Sequence, residues 1–327
     1  MSTSSPSRSP RAPQSATPSA ESVLKRLEWT VLRRLDGLLQ GDYRTLFRGQ
    51  GLDLAELREY QWGDDVRHID WNVTARLQTP YVKQYHEDRE ITAWFLIDLS
   101  ASVDFGSQGV KKRSISEGFV AVLARLLTRH GNRVGALLYG SQVDGVVPAR
   151  GGRQHVLRLL HAMQTRAPAA SGPATDLRHL LEAGAHMIRR RSVVFVVSDF
   201  ISEPGWEKLL GYLGRRHELV AVRLFDPLES ELPDLGMLPF RDAETGETIL
   251  VDTHDKAFRR RFAAASRIRE RRLREAFAEA GVDCLELSTD EDLAEAIHRF
   301  AELRRRRSRT SIAQGASPIS ALQGAAA

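Results

Sequence analysis

One cysteine in 327 residues, no apolar run near the roughly 18 to 20 residues that a bilayer crossing takes, and no hydrophobic leader at the start: each absence removes a class of protein. Cys284, alone in the apolar stretch VDCLEL, can build neither a disulfide framework nor a cysteine metal centre and reads as a small buried hydrophobe. The opening MSTSSPSRSPRAPQSATPSA has none of the apolar character of a secretory signal, so the expectation is a cytoplasmic protein without a transmembrane segment. No Gly-x-Ser-x-Gly elbow and no Gly-x-x-x-x-Gly-Lys phosphate loop occurs, which leaves neither an acyl hydrolase nor an ATPase indicated. No internal repeat is present.

Positive charge is in excess, a formal +5, but it is unevenly placed. Residues 1–20 hold Arg8 and Arg11 with no acid, and residues 304–327 hold five arginines with no acid, so the residues between them are close to neutral. That distribution argues against a nucleic-acid-binding body, and neither zinc-finger spacing nor an aromatic RNA-binding motif supports one. The arginine-rich stretch DKAFRRRFAAASRIRERRLREAFAEAG carries Phe258, Phe262, Ile268, Leu273 and Phe277 mainly on one helical stripe, with Glu270, Glu275 and Glu279 among the bases. It reads as an amphipathic helix with a solvated charged face.

Residues 1–20 and the basic stretch 304–327 are expected as disordered tails. Between them, ESVLKRLEWTVLRRLDGLLQGD sets Val23, Leu24, Leu27, Val31, Leu32 and Leu35 at the three-and-four spacing of an amphipathic helix, with Gly41 as a stop. Residues 45–90 read as short strands and loops, so residues 21–90 form a small N-terminal module of helix plus strands. From Ile91 the pattern changes. The apolar stretches ITAWFLIDL, RVGALLYG, SVVFVVSD, LVAVRLFD and DCLELS read as strands. Helices are predicted between and after them, at about 111–130, 153–164, 176–189, 205–215, 256–280 and 290–305. That alternation predicts an α/β domain over residues 91–303, a doubly wound and mostly parallel sheet with helices on both faces.

The first of these strands ends in Asp98, Ser100 and Ser102, three oxygen-bearing side chains at alternate positions after the apolar WFLI. In an open parallel sheet, ligands bind beyond the carboxyl ends of the strands. One carboxylate and two hydroxyls, with no sulfur or imidazole, make a donor set for a hard cation. Two later segments supply more oxygen: SVVFVVSD ends in Asp199, and GPATDLRHLL opens a helix with Thr175 and Asp176. Asp98 and Asp199 with three hydroxyls meet the demand of Mg²⁺ and leave a position open; Mn²⁺ and Ca²⁺ are alternatives. The plainer reading is that the acids only cap the helices that follow them, and Thr175 with Asp176 also suits an N-cap pair.

The run Asp98-Leu99-Ser100-Ala101-Ser102, followed by Thr175 and by Asp199 after FVVS, resembles the metal-ion-dependent adhesion site of von Willebrand factor A domains. The resemblance implies that Ser100, Ser102 and Thr175 are hydroxyl ligands, that Asp98 and Asp199 are the acids, often acting through water, and that an acidic residue of a partner protein fills the open position. The threonine loop departs from the pattern, since SGPATDL puts Pro173 and Ala174 where many A domains carry glycines; Asp176 is the alternative ligand there. Upstream, LREYQWGDDVRHIDWNVTARLQTPYVKQYHEDRE resembles the signature that precedes the A-type domain in the DUF58 family of uncharacterised bacterial and archaeal proteins. Many relatives carry a pair of membrane helices before it; this chain resembles the soluble branch. The resemblance implies a MoxR-type AAA+ ATPase as partner and a chaperone-like role in assembling protein complexes.

Within that signature, GDDVRHIDW gathers Asp64, Asp65, Arg67, His68 and Asp70. A turn at 63–65, ion pairs with Arg67 and Arg76, and packing by Tyr60 and Trp71 account for it better than a metal or acid–base cluster. Asp64, Asp65, Arg67, Asp70 and Trp71 are therefore a candidate partner-docking surface. The expected function is a non-catalytic, divalent-cation-dependent protein-binding adaptor. Two alternatives stand beside it. One is a Mg²⁺-dependent phosphoester hydrolase with an aspartyl nucleophile, against which Ser100 occupies the position of the second acid. The other is a scaffold whose metal site is vestigial and which binds through its N-terminal module.

Overall fold

The computed structural model describes residues 19–38, 56–84 apart from 63, 65, 67 and 68, 91–166 apart from 108, 175–241 and 247–315. The chain enters as α1 (Ala20–Leu27), a π-helical turn (Glu28–Leu32) and α2 (Arg33–Leu38). The Ser19 hydroxyl caps α1 by accepting the Ser22 backbone N–H at 3.3 Å. Val23, Leu24, Leu27, Val31, Leu32 and Leu35 are all buried, so the stripe read from the spacing is the packing face. The wider π turn has a physical reason: steps of four drift around a helix of 3.6 residues per turn, and a local unwinding keeps Leu27, Val31 and Leu35 on one side.

A short antiparallel ladder follows, with α3 (Trp71–Leu77) between β1 (Glu56–Glu59) and β2 (Tyr81–Gln84). The helix was not anticipated in a segment read as strands and loops. Asp70 starts it by accepting the Val73 N–H at 3.2 Å. Trp71, expected to pack, is instead 69% exposed: it is the first residue of a seven-residue helix whose half-buried positions are Val73 and Thr74.

The large sheet is assembled in chain order from β3 (Thr92–Asp98), α4 (Lys112–Arg129), β4 (Arg133–Tyr139), β5 (Val143–Arg150), α5 (Arg153–Gln164), α6 (Leu177–Met187), β6 (Val193–Ser198), α7 (Trp206–Arg216) and β7 (Glu218–Phe225). A hairpin of β8 (Met237–Arg241) and β9 (Thr248–Asp252) comes next, then α8 (Lys256–Ala280), β10 (Asp283–Ser288) and α9 (Leu293–Gly315). The six strands lie in the order β10-β7-β6-β3-β4-β5, all parallel except β5. The fold class is the expected one, a doubly wound α/β sheet. Side chains of β3 alternate between two apolar layers: Phe95 and Ile97 face α4, α5, α9 and the N-terminal helix, while Leu96 faces α6, α7 and α8. At Gly184 an added Cβ would lie 2.8 Å from Leu96 Cδ1, so α6 rests on β3 at a distance that suits glycine.

The sequence reading missed β5 and the β8–β9 hairpin. Gly145 and Pro148 interrupt β5, and the strand tolerates them because it is the sheet edge, where a missing N–H costs no ladder bond. The arginine run expected as a tail from residue 304 is helical as far as Gly315. Arg304 is 4% exposed and pairs with Glu218 at 3.0 Å and Asp283 at 3.1 Å, which binds the middle of α9 to the first residues of β7 and β10. Gly41 and most of residues 1–20 lie outside the described residues, as do residues 316–327. Among the described residues no helix is long and apolar enough to cross a membrane.

The N-terminal helix is thus part of the main core. Leu24→Ala, at a fully buried position, should destabilise the protein by about 2–5 kcal/mol in urea titrations, whereas Trp71→Ala should change stability by less than about 0.5 kcal/mol.

Candidate metal site

Asp98 closes β3 and is fully buried. One carboxylate oxygen accepts the Ser100 N–H at 2.9 Å and the other accepts the Ser198 hydroxyl at 2.7 Å. The first bond turns the chain back on itself in the manner typical of Asp after a strand. A 3₁₀ turn over Ala101–Asp104 follows and leaves the Ser100 and Ser102 hydroxyl oxygens 3.2 Å apart, both buried.

Strand β6 pairs beside β3, so the residue after it, Asp199, emerges next to Asp98. Phe200 then takes φ +57°, a left-handed conformation that costs a non-glycine residue about 1–2 kcal/mol. Its N–H donates to Ser198 Oγ at 2.9 Å, and the Ile201 N–H donates to Asp199 Oδ1 at 3.0 Å. The strain is offset by packing: the Phe200 ring sits 5.2 Å from that of Trp206 and 4.9 Å from that of Phe277.

Thr175, 5% exposed, is stitched into the same corner. Its carbonyl accepts the Glu203 N–H at 2.9 Å, the next N–H (Asp176) donates to the Tyr139 hydroxyl at 3.1 Å, and the Leu177 N–H donates to Ser202 Oγ at 3.0 Å. Tyr139 is the residue opposite Asp98 in the β3–β4 register. Asp176 is committed elsewhere. It caps α6 through the Arg178 N–H at 3.0 Å, and its bonds to the Arg178 side chain hold its carboxyl below the usual range. The capping reading therefore fits Asp176, which leaves Thr175, buried at the start of this turn, as the candidate oxygen from the loop.

Lys112 was not among the residues singled out from the sequence. It opens α4, is 1% exposed, and its ammonium donates to Asp199 Oδ2 at 2.7 Å and to Glu229 Oε1 at 2.6 Å. Burial alone pushes the ammonium down, but the charges of Asp199 and Glu229 outweigh it and hold the group above the ordinary lysine value. Asp98 has no such partner. Burial, then the neighbouring charge of Asp199, push its carboxyl up to about 6, and the bonds from Ser198 and Ser100 only partly oppose this. A buried corner is left with negative charge that the protein's own groups do not neutralise.

These donors fit a hard divalent cation. All are oxygens, two are carboxylates, three are hydroxyls, and the residual charge is of the sign a cation would cancel. Among the described residues no group of three or more His, Cys, Asp and Glu is placed to hold a metal ion, and this corner brings only two acids, so the set depends on its hydroxyls. Of the proposed docking residues, Asp64 accepts the Gln61 N–H at 2.8 Å within a turn and Asp70 caps α3. Trp71 is exposed, and Asp65, Arg67 and His68 lie outside the described residues.

Two tests follow from the charge balance. Lys112→Met leaves Asp199 and Glu229 buried without their cation and should lower stability by about 3–5 kcal/mol in metal-free buffer, with Mg²⁺ restoring part of the loss; unfolding titrations with and without Mg²⁺ measure both. Asp98 keeps its proton to higher pH in the fold than in the unfolded chain. The native state therefore binds more protons between about pH 4 and pH 6, and stability falls by about 3 kcal/mol as pH rises across that interval. Asp98→Asn should flatten that segment of the stability curve, measured in metal-free buffer; an unchanged slope would show that Asp98 is not the group responsible.

Residues 56–272 match the protein family of unknown function DUF58. The chain is 38% identical over 289 residues to the uncharacterised protein Rv1480 of Mycobacterium tuberculosis, covering 88% of this chain and 91% of that protein, and equally to the uncharacterised protein Mb1516 of Mycobacterium bovis. Among solved structures it is similar to the conserved hypothetical protein BatB from Bacteroides thetaiotaomicron, with 12% identity, a TM-score of 0.42, and coverage of 66% of this chain and 99% of that one. It is also similar to an aerotolerance-related membrane protein from Bacteroides fragilis, with 11% identity, a TM-score of 0.41 and the same coverage. The arrangement described above is thus that of a chain which belongs to the DUF58 family.

Proposed function

We propose that this protein is a non-catalytic adaptor that binds partner proteins through a divalent cation, Mg²⁺ or else Mn²⁺ or Ca²⁺. The observation that carries the proposal is the pairing of buried Asp98 with Asp199 at the carboxyl ends of adjacent strands, beside the Ser100 and Ser102 hydroxyls, around negative charge left uncompensated; in this reading Thr175 adds the third hydroxyl. When bound there, the cation supplies an electrophilic position for a partner's carboxylate. The chain's own residues set the terms. Asp98 contributes charge, the three hydroxyls contribute neutral oxygen, and Lys112 withdraws one oxygen of Asp199 from competition, so the protein's anionic contribution stays low and an incoming acid is favoured.

A hydrolase using Asp98 as nucleophile fits less well, because the carboxylate is fully buried with both oxygens already accepting hydrogen bonds. The ATPase partnership rests on family membership and on the signature resemblance upstream of β3. In that reading a MoxR-type AAA+ ATPase or its client supplies the acid, ATP hydrolysis belongs to the partner, the outcome is chaperone-like assembly, and the location is cytoplasmic.

Affinity capture from native lysate tests the proposal, using wild type and Asp98→Asn in Mg²⁺ and in EDTA, with bound proteins identified by mass spectrometry. An AAA+ ATPase or a defined client retained by wild type in Mg²⁺ alone is the expected result. The same proteins retained in EDTA and by the variant would overturn it.

A further inference from the structure

A trough of about 370 Å³ opens beside Asp199. Its apolar wall is formed by Phe200, Ile201 and Trp206 on one side and by Ile268 and Leu273 of α8 on the other, and Ile268 is 50% exposed. The volume lies in the range of sites that enclose one or a few side chains of a ligand.

The charges around it are not balanced. Of the acids that line it, Asp199 and Glu229 pair with Lys112, while Glu207, accepting only the neutral Gly205 N–H at 2.8 Å, keeps its charge on the Trp206 side of the trough. Arg223 is occupied by Glu270 and Glu286. Arg269 and Arg272, both exposed and three residues apart on α8, are different. Arg269 donates only to the neutral carbonyl of Glu229, at 3.0 Å, and Arg272 makes no ion pair among the described residues. An apolar slot beginning at a metal-site acid and edged by two uncompensated guanidinium groups is complementary to one kind of ligand, an extended acidic segment with an apolar side chain.

We infer that the trough seats the partner residues flanking the carboxylate that reaches the cation: an apolar side chain enters between Ile201 and Ile268, and a second carboxylate meets Arg269 and Arg272. The inference rests on the adaptor reading for the first carboxylate and on the trough alone for the other two contacts. The selectivity of the surface then comes from α8, since any acidic residue satisfies the cation, whereas the trough accepts only an acid with the right neighbours.

The test is an octapeptide library with a fixed central Asp and all other positions randomised, panned on the full-length protein in Mg²⁺. Wild type should enrich Leu, Ile or Phe and a second Asp or Glu near the fixed acid. Arg272→Glu should abolish the acidic preference and weaken the selected peptide roughly tenfold or more by fluorescence polarisation. Ile268→Asp should abolish the apolar preference. Both positions are exposed, so thermal stability and calorimetric titration with Mg²⁺ alone should match wild type. Flat flanking preferences, preferences unmoved by the two variants, or no retained peptide would overturn the inference. Asp98→Asn separates the two readings. Peptides that bind it as well as wild type, yet are lost with Arg272→Glu, keep the trough and remove the cation; Mg²⁺-dependent retention of the fixed Asp with flat flanks does the reverse.

Discussion

Negative charge held out of water is the constraint around which the carboxyl edge of this sheet is built. Four acids, Asp98, Asp199, Asp226 and Glu229, stand at or just beyond the ends of neighbouring strands, where burial raises the cost of each charge. Two are met by the Lys112 ammonium. Asp226 is met by hydrogen bonds: it accepts from the Ser107 N–H at 2.7 Å, the Ser107 hydroxyl at 2.8 Å and the Thr289 hydroxyl at 2.6 Å. Although burial pushes it up, these bonds and that from Leu228 hold it below the usual carboxylate range and tie the loop after β3 to the ends of β7 and β10. Asp98 alone is left short. The fold satisfies three acids and leaves the fourth, at the centre of the sheet, without a cationic partner, and the proposed adaptor function rests on that imbalance.

What was legible in the sequence follows from the same physics. Asp98 and Asp199 could be found because each ends an apolar run, and a charge there has to face something specific. Helices α5 and α8 could be bounded because their stripes are regular. Lys112 was hidden by its neighbour: Lys111 and Lys112 look alike, yet the Lys111 side chain is 56% exposed and that of Lys112 is 0%. Side-chain fate at a helix start depends on which strands lie beneath it, and that is not a local property. A faint signal existed, since this chain uses arginine for nearly all its basic positions and places a lysine at the head of a helix whose body is largely buried. A compact ammonium suits the space between two carboxylates better than a planar guanidinium does. Strand β5 was lost for a similar reason, because tolerance of Pro148 reflects its place at the sheet edge.

The loop after β6 links the candidate cation site to its surroundings. The left-handed turn at Phe200 aims Asp199 at the site and sends the ring into the aromatic cluster with Trp206 and Phe277. Phe200 and Trp206 also wall the trough. Asp199 and one wall of the trough therefore belong to a single packed loop, so a change in that loop would move both at once.

The N-terminal helix also bears on where the folding unit ends. The family match begins at residue 56, yet six apolar side chains between Val23 and Leu35 complete the layer over α4 and α5, and Arg34 reaches Asp292 and Glu295 at the start of the last helix. A fragment cut at the family boundary would uncover a hydrophobic face on the side of the sheet away from α6, α7 and α8, and would expose it to self-association. The shared segment and the cooperative unit are different objects in this chain, and the second includes the first helix.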